Sequence, residues 1–259
     1  MTDKVVFITG ASSGIGRATT LLFIRAGYNV TGTARRIERL QTLKNEVEAL
    51  PSPHGTFLPA QGDVTQPDTL SDAVQHTLDT FGRLDILVAN AGVGHRGAIV
   101  DSEWDDMQTL LRTNIDGVLH SIRACVPAMR QSGSGHIMIV SSVAANISSP
   151  YAAIYAASKA FVSSITGSVR LELEADNIKV TDFLVGRTET EFDSNRLGSG
   201  KRSGGGLPTM DVDQVAQAIV NTTTTNRKRV ILRLFDRLIV WGGIFTPWLL
   251  ARLAKRQYK

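Results

Sequence analysis

Tyr155 and Lys159 stand four residues apart in YAAIYAASKAF, a spacing that puts both side chains on one face of a helix. A free phenol titrates near pH ~10, too weak an acid for fast proton exchange at neutral pH. An ammonium beside it stabilises the phenolate and lowers that value, which makes Tyr155 a candidate general acid or base. A lone Tyr/Lys pair on a helix is usually structural, so this reading depends on the company the pair keeps. Tyr151, in the same stretch, has no lysine four residues on and reads as packing at the helix start or as a substrate contact. The five histidines, His54, His76, His95, His120 and His136, lack metal-ligand spacing and read as surface or packing residues, so no metal is implied.

The second constellation is TGASSGIG, residues 9–16. A glycine at the end of a strand permits a tight turn, and later glycines let the backbone approach a pyrophosphate and let helix pack on strand. Gly10, Ser12, Ser13, Gly14, Ile15 and Gly16 are therefore candidate phosphate-loop residues, with the free N–H groups of the helix start aimed at the anion. Glycine spacing alone is a weak signal, since loops collect glycines for turn geometry. Its position between the first strand and the first helix of a βαβ unit is what the dinucleotide reading requires.

These residues need elements to hold them. Short apolar, β-branched runs occur at residues 5–9, 29–33, 56–60, 84–89, 136–141, 178–185 and 229–233. Stretches of helical period lie between them, at 15–26, 37–50, 69–81, 104–131, 152–175 and 212–221. Seven strands alternating with helices, joined by right-handed crossovers, predict a doubly wound α/β Rossmann fold: a seven-stranded parallel sheet with helices on both faces. No linker divides the chain, so one domain is expected, with a dinucleotide-binding and catalytic body over residues 1–233 and an extension over 234–259. Ser142 follows the fifth strand, so its hydroxyl should emerge at the carboxyl edge of the sheet, where ligands bind. At 42% hydrophobic and 20% charged, the chain can bury a full core, which rules out disorder and fibrous repeats. The single cysteine, Cys125, excludes an internal disulfide framework and reads as a small buried apolar residue in a reducing compartment. With no visible secretion signal and no apolar stretch longer than the 14 residues of 238–251, a cytoplasmic location is expected.

The glycine spacing, Asn90, Ala91 and Gly92 after the fourth strand, Asn114 in the next helix, Ser142, and Tyr155 with Lys159 occur in an order that resembles the short-chain dehydrogenase/reductase family. The resemblance covers nearly the whole chain and implies binding of NAD or NADP. It implies that Ser142, thirteen residues before Tyr155 and preferred on that ground to Ser141, holds a substrate carbonyl. It further implies that Tyr155 exchanges the proton, that Lys159 also binds the nicotinamide ribose, and that Asn114 helps hold a water leading to the lysine. Asp63 and Val64 should contact the adenine, and the Asn90–Gly92 turn should back the adenosine side. Where NAD-specific relatives usually carry Asp, the second strand ends in Ala34, followed by Arg35 and Arg36. Arg17 can reach the same place. Guanidinium groups suit a 2′-phosphate through charge and fork geometry, so the expected cofactor is NADP(H). Arg36 and Arg39 have the alternative of merely starting a solvated helix. After the sixth strand Gly186 and Thr190 match the family's nicotinamide turn, while Val185 replaces its proline and Thr188 its aliphatic residue. Thr188 is kept as a cofactor contact.

The chain carries a net +4, but the charge is unevenly spread: residues 227–259 hold +8 and the first 226 residues −4. An acidic body without a basic, aromatic-interleaved patch disfavours nucleic acid. The segment FDRLIVWGGIFTPWLLARLAKRQYK suits a cover for the substrate cleft or a subunit interface, and packing of this kind is preferred to peripheral membrane contact. The resemblance implies a homodimer or homotetramer. Residues 194–208, with five glycines, read as a loop that is either an inert connector or a lid. The expected activity is hydride transfer between NADP(H) and a ketone or secondary alcohol. The rival, a non-catalytic NADP(H) sensor, has no need of a proton donor. Residues 93–97, 143–151 and 191–208 should carry specificity, and their partly apolar character favours a lipid-like, steroid-like or aromatic carbonyl.

Overall fold

The computed structural model describes residues 3–200 and 209–256. All seven strands are parallel: β1 (Val5–Thr9), β2 (Asn29–Ala34), β3 (Phe57–Gln61), β4 (Ile86–Ala89), β5 (Gly135–Ser142), β6 (Ile178–Val185) and β7 (Arg229–Val230). They lie in the order β3-β2-β1-β4-β5-β6-β7. The order reverses between β1 and β4, and the chains leaving those two strands open a crevice at their carboxyl ends.

Strand residues alternate between two apolar layers. Val5 and Phe7 join Leu87 and Ile137 beneath α3 (Pro67–Phe81), α5 (Gly117–Gln131) and α6 (Ala153–Glu172). Val6 and Ile8 join Val88 and Met138 beneath α1 (Gly14–Arg25), α2 (Ile37–Glu48) and α7 (Val212–Thr222). Both faces of the sheet are covered, which is why the central strands are unbroken apolar runs rather than alternating ones. Cys125 is wholly buried in the first layer, where loss of hydration pushes its thiol far above the usual range.

Two expected elements differ. The single helix read over 104–131 is α4 (Trp104–Leu111) and α5 joined by a π-helical turn, Arg112–Asp116. The wider turn carries Asn114 inward, where it bonds Val93 and Ser158, and those tertiary bonds leave no trace in apolar periodicity. The last strand is two residues long rather than five. After Val230 the chain leaves the sheet edge for α8 (Leu234–Phe245), whose start is held by two Arg233–Asp236 hydrogen bonds of 2.8 Å. α9 (Pro247–Arg256) follows at once.

The extension is packed onto the body. A Cβ on Gly243 would stand 1.8 Å from the Asn146 carbonyl oxygen, so α8 lies against the short 3₁₀ turn Val143–Asn146 at a distance only glycine allows. Val240 completes a small cluster with Val143 and Leu184.

His136, on β5, is buried, and its Nε2 lies 2.9 Å from the Thr181 hydroxyl, which itself donates to the Arg227 carbonyl. Burial first, then Lys179 and Arg170, lower its pKa to about 4. An unfolded histidine takes its proton near ~6.5, so the unfolded state binds more protons between these values and stability falls as pH drops through that window. The loss at the lower end is on the order of 3 kcal/mol. Urea unfolding at pH 7 and pH 4 should show this loss much reduced in His136→Gln, and equal losses in both proteins would refute the assignment.

Candidate active site

The carboxyl ends of the strands line a cleft of about 960 Å³. Its floor is built where β1 and β4 part. The Thr9 hydroxyl accepts the backbone N–H groups of Asn90 and Ala91, each at 3.1 Å, and the Asn90 amide donates to the Thr9 carbonyl at 3.0 Å. Gly10 turns the chain at φ +69°, and a Cβ there would sit 2.9 Å from the Ala91 Cα. A Cβ on Gly16 would lie 2.3 Å from the Gly10 carbonyl oxygen. Gly16 therefore lies behind the cleft wall, where its lack of a side chain lets the start of α1 pack onto the loop, the second of the two roles expected of the later glycines. Ser12, Ser13, Gly14 and Ile15 face the cleft, and the first turn of α1 has neither a side-chain cap nor an acidic residue. These unopposed amides, in a cradle that a side chain would fill, fit a dinucleotide's pyrophosphate.

Ala34, Arg35, Arg36, Asp63 and Val64 line one end of the cleft. No carboxylate stands at the end of β2. Arg17 does not reach this place: it is ion-paired with Glu46 on α2 and lies off the cleft wall, which corrects the sequence expectation. Arg39 is spent on Glu191 at 2.7 Å, and this bond is the main cause of the depressed Glu191 pKa. Asp63 uses Oδ1 to accept the N–H and O–H of Thr65, each at 2.9 Å, which fixes the turn after β3.

At the other end Ser142 and Tyr155 meet. The Ser142 hydroxyl lies 3.2 Å from both the Val185 carbonyl, to which it donates, and the Ala144 N–H, which it accepts. Tyr155 is half-buried, and its loss of hydration raises the pKa above the ordinary value; the Ser142 hydroxyl opposes this shift and Asp193 reinforces it. The expected lowering by Lys159 is not what governs the phenol. Lys159 is buried and donates from Nζ to the Val140 carbonyl at 3.0 Å. Its own pKa falls to about 8 through burial, opposed by Asp182. Asp182 is buried beneath the site, accepts from Ser141 and Ser163, and lies 3.4 Å from Arg229. The sequence reading passed over it, although an acid inside the apolar run IKVTDFLV was the available signal.

Asn114 is buried just behind the cleft wall at Gly92, where a Cβ would stand 3.2 Å from its Oδ1 and 3.5 Å from Lys159 Nζ. Its Oδ1 accepts the Val93 N–H at 2.9 Å, and its Nδ2 donates to the Val93 carbonyl at 3.0 Å and to Ser158 at 3.1 Å. Ser158 in turn donates to the Tyr155 carbonyl, so Asn114 braces the start of α6, and its neighbour Thr113 takes the place on the wall.

Gly186, Thr188 and Thr190 line the cleft beside Gly92. The chain beyond them folds over the opening: Phe192 meets the Tyr155 ring edge-on at 5.9 Å, and the Leu197 N–H donates to the Gly94 carbonyl at 2.8 Å. Residues 201–208 of the glycine-rich loop lie outside the described residues. Phe235, Ile239, Leu250, Leu253 and Ala254 from α8 and α9 form an apolar wall, so the extension does border the cleft. Tyr151 is exposed and off this wall, at a left-handed φ of 60°. His95, read as packing, lines the cleft instead; it is buried, and neither ring nitrogen has a hydrogen-bond partner among the described residues. Spacing could not reveal this, because the strap around Leu197 is what buries it.

Residues 4–198 match the short chain dehydrogenase family model. Dehydrogenase/reductase SDR family member 7B of Bos taurus is 33% identical over 260 positions, covering 97% of this chain and 80% of the relative. The NADH complex of 3-ketoacyl-(acyl-carrier-protein) reductase from Brucella melitensis is 25% identical, with a TM-score of 0.76 over 85% of this chain and 90% of that one. The NADP complex of a metagenomic short-chain oxidoreductase is 26% identical, with a TM-score of 0.75 over 90% and 98%. The matched span includes the glycine cradle, the Asn90–Gly92 turn and the Ser142, Tyr155 and Lys159 cluster, and the chain belongs to the short-chain dehydrogenase/reductase family of oxidoreductases.

Proposed function

We propose that the protein is an NADP(H)-dependent oxidoreductase acting on ketones and secondary alcohols, with Ser142, Tyr155 and Lys159 as its catalytic residues. The observation that carries this reading is Ser142 and Tyr155 on one cleft wall, with Lys159 buried one helical turn from the tyrosine, in the same cleft as the unopposed amides of α1. Bound there, NADP(H) supplies or accepts the hydride. Ser12, Ser13, Gly14 and Ile15 offer backbone donors to the pyrophosphate, while Asp63 and Val64 meet the adenine. Arg35 and Arg36 bind the 2′-phosphate. Asn90, Ala91, Gly92, Gly186, Thr188 and Thr190 shape the cleft on the nucleotide's other side.

Ser142 donates a hydrogen bond to the substrate carbonyl and orients it. Tyr155 protonates the growing alkoxide in reduction and receives the proton in oxidation. Lys159 keeps positive charge near the phenol and binds ribose hydroxyls, and Asp182 holds that charge by opposing the cost of burial. The apolar wall from α8 and α9 favours an apolar carbonyl, with His95 offering a polar contact.

Tyr155→Phe should reduce turnover by about a hundredfold or more, the usual worth of a positioned general acid, with nucleotide binding retained. Near-normal turnover in an NADPH-absorbance assay over a carbonyl panel would remove the assignment. Arg35→Ala should weaken NADPH binding by roughly tenfold and NADH binding far less. Fluorescence titration with both nucleotides distinguishes this from equal losses, which would argue against 2′-phosphate recognition. Lys159 is charged below about 8 and neutral above it, so kcat/KM for reduction should fall as pH rises through that value. Asp182→Asn removes the opposing carboxylate and should move this fall to lower pH. A limb that stays in place would show that Asp182 does not act through Lys159.

A further inference from the structure

We propose that the α8–α9 hairpin docks the protein on the surface of an anionic lipid bilayer, lying in the headgroup and upper acyl region. Leu234, Leu238, Trp241 and Phe245 fall at intervals that place them on one stripe of α8. They are 71, 56, 59 and 77% exposed. The core-facing side of the same helix is already occupied by Ile239 and Val240. α8 is therefore apolar on the face that packs and also on the opposite face, which no segment among the described residues covers. On α9, Trp248 and Leu249 carry the exposed apolar surface onward, with Leu253 shared between it and the cleft wall.

The charges around this surface identify its occupant. Among the described residues of α8 and α9 the exposed ionic groups Arg237, Arg252 and Lys255 are all positive, and Arg252 stacks over Trp248 at 5.4 Å. The single acid of the segment, Asp236, is buried against Arg233. A second copy of this chain meeting the same face across a twofold axis would bring two segments of +8 together. An anionic headgroup layer attracts the same charges, while aromatic and leucine side chains enter the acyl boundary and arginine and lysine stems extend to the headgroups.

The hairpin is shaped to lie on a bilayer rather than to cross it. No single helix among the described residues is long and apolar enough to span, and the two helices, of 12 and 10 residues, meet with a bend of 116°. At 1.5 Å per residue each is well short of the ~30 Å hydrocarbon core. Because Phe235, Ile239, Leu250 and Leu253 line the cleft, docking sets the apolar cleft wall beside the lipid. Binding itself does not depend on the activity proposed above.

Flotation of the full chain with phosphatidylcholine vesicles, and with vesicles containing about one-third phosphatidylglycerol, tests the proposal directly. The protein should float with the anionic vesicles at least tenfold better than with the neutral ones, and high salt should release it. Trp241→Ser/Phe245→Ser/Trp248→Ser changes only exposed side chains, so its melting temperature should be close to the parent's while flotation is lost. Arg237→Gln/Arg252→Gln/Lys255→Gln should weaken anionic binding by roughly fivefold per charge removed. Parent protein that stays at the bottom of the gradient with both vesicles overturns the proposal, as does a triple serine variant that floats like the parent. A soluble dimer by light scattering that becomes monomeric in the serine variant, with no flotation of either, assigns the face to a second copy and also overturns it.

Discussion

The architecture of the cleft depends on how closely the ends of β1 and β4 approach one another. The two strands are neighbours in the sheet but about eighty residues apart in sequence, and the Thr9 hydroxyl joins them by accepting two backbone amides from the Asn90 turn. Gly10 and Gly16 leave no space for a side chain at this junction, so the loop and the start of α1 are drawn down onto the sheet. This contact aims the helix amides into the crevice. Without it the phosphate cradle, the floor of the cleft and the line from the arginines to Tyr155 would lose their common reference.

Burial dominates the electrostatics at the far end of the cleft. Tyr155 is half-buried in the cleft wall and Lys159 is buried beneath it, and this loss of hydration favours the protonated phenol while pulling the lysine towards neutrality. A nearby cation acts on a phenol only while it remains charged, and the Asp182 carboxylate below helps to keep it so. The proton chemistry of the site is thus set by three layers: the hydroxyls at the surface of the cleft, the lysine beneath them, and an acid within the sheet. Asn114 contributes differently, as a brace that ties Val93 to the first turns of α6.

The extension joins recognition at the cleft to the surface of the molecule. Gly243 seats α8 against the turn that follows Ser142, so the helix bordering the cleft is the same one that presents an exposed apolar stripe. Its concentration of positive charge separates it from the acidic body. A route for apolar substrates between lipid and cleft follows from that placement under the proposed docking.

The order of strands and helices, the sheet's doubly wound form, the glycine turn and the family membership were legible in the amino-acid sequence, because each rests on local periodicity or on residues close together in the chain. Cleft-lining positions such as Ser142, Tyr155 and Arg35 were legible because each sits at the end of a strand or on a helix face that the local pattern defines, whereas Thr190, in the turn beyond β6, was marked by the family resemblance. Tertiary structure decided the rest. It turned Arg17 to Glu46, drew Asn114 into the brace through a π-helical turn, enclosed His95 under the strap and placed Asp182 below Lys159. It also divided the terminal segment into a face that lines the cleft and a face that meets solvent. Local pattern specifies which side of an element is apolar, whereas ion-pair partners, burial-driven pKa shifts and the neighbour that covers each face depend on segments brought together only by folding.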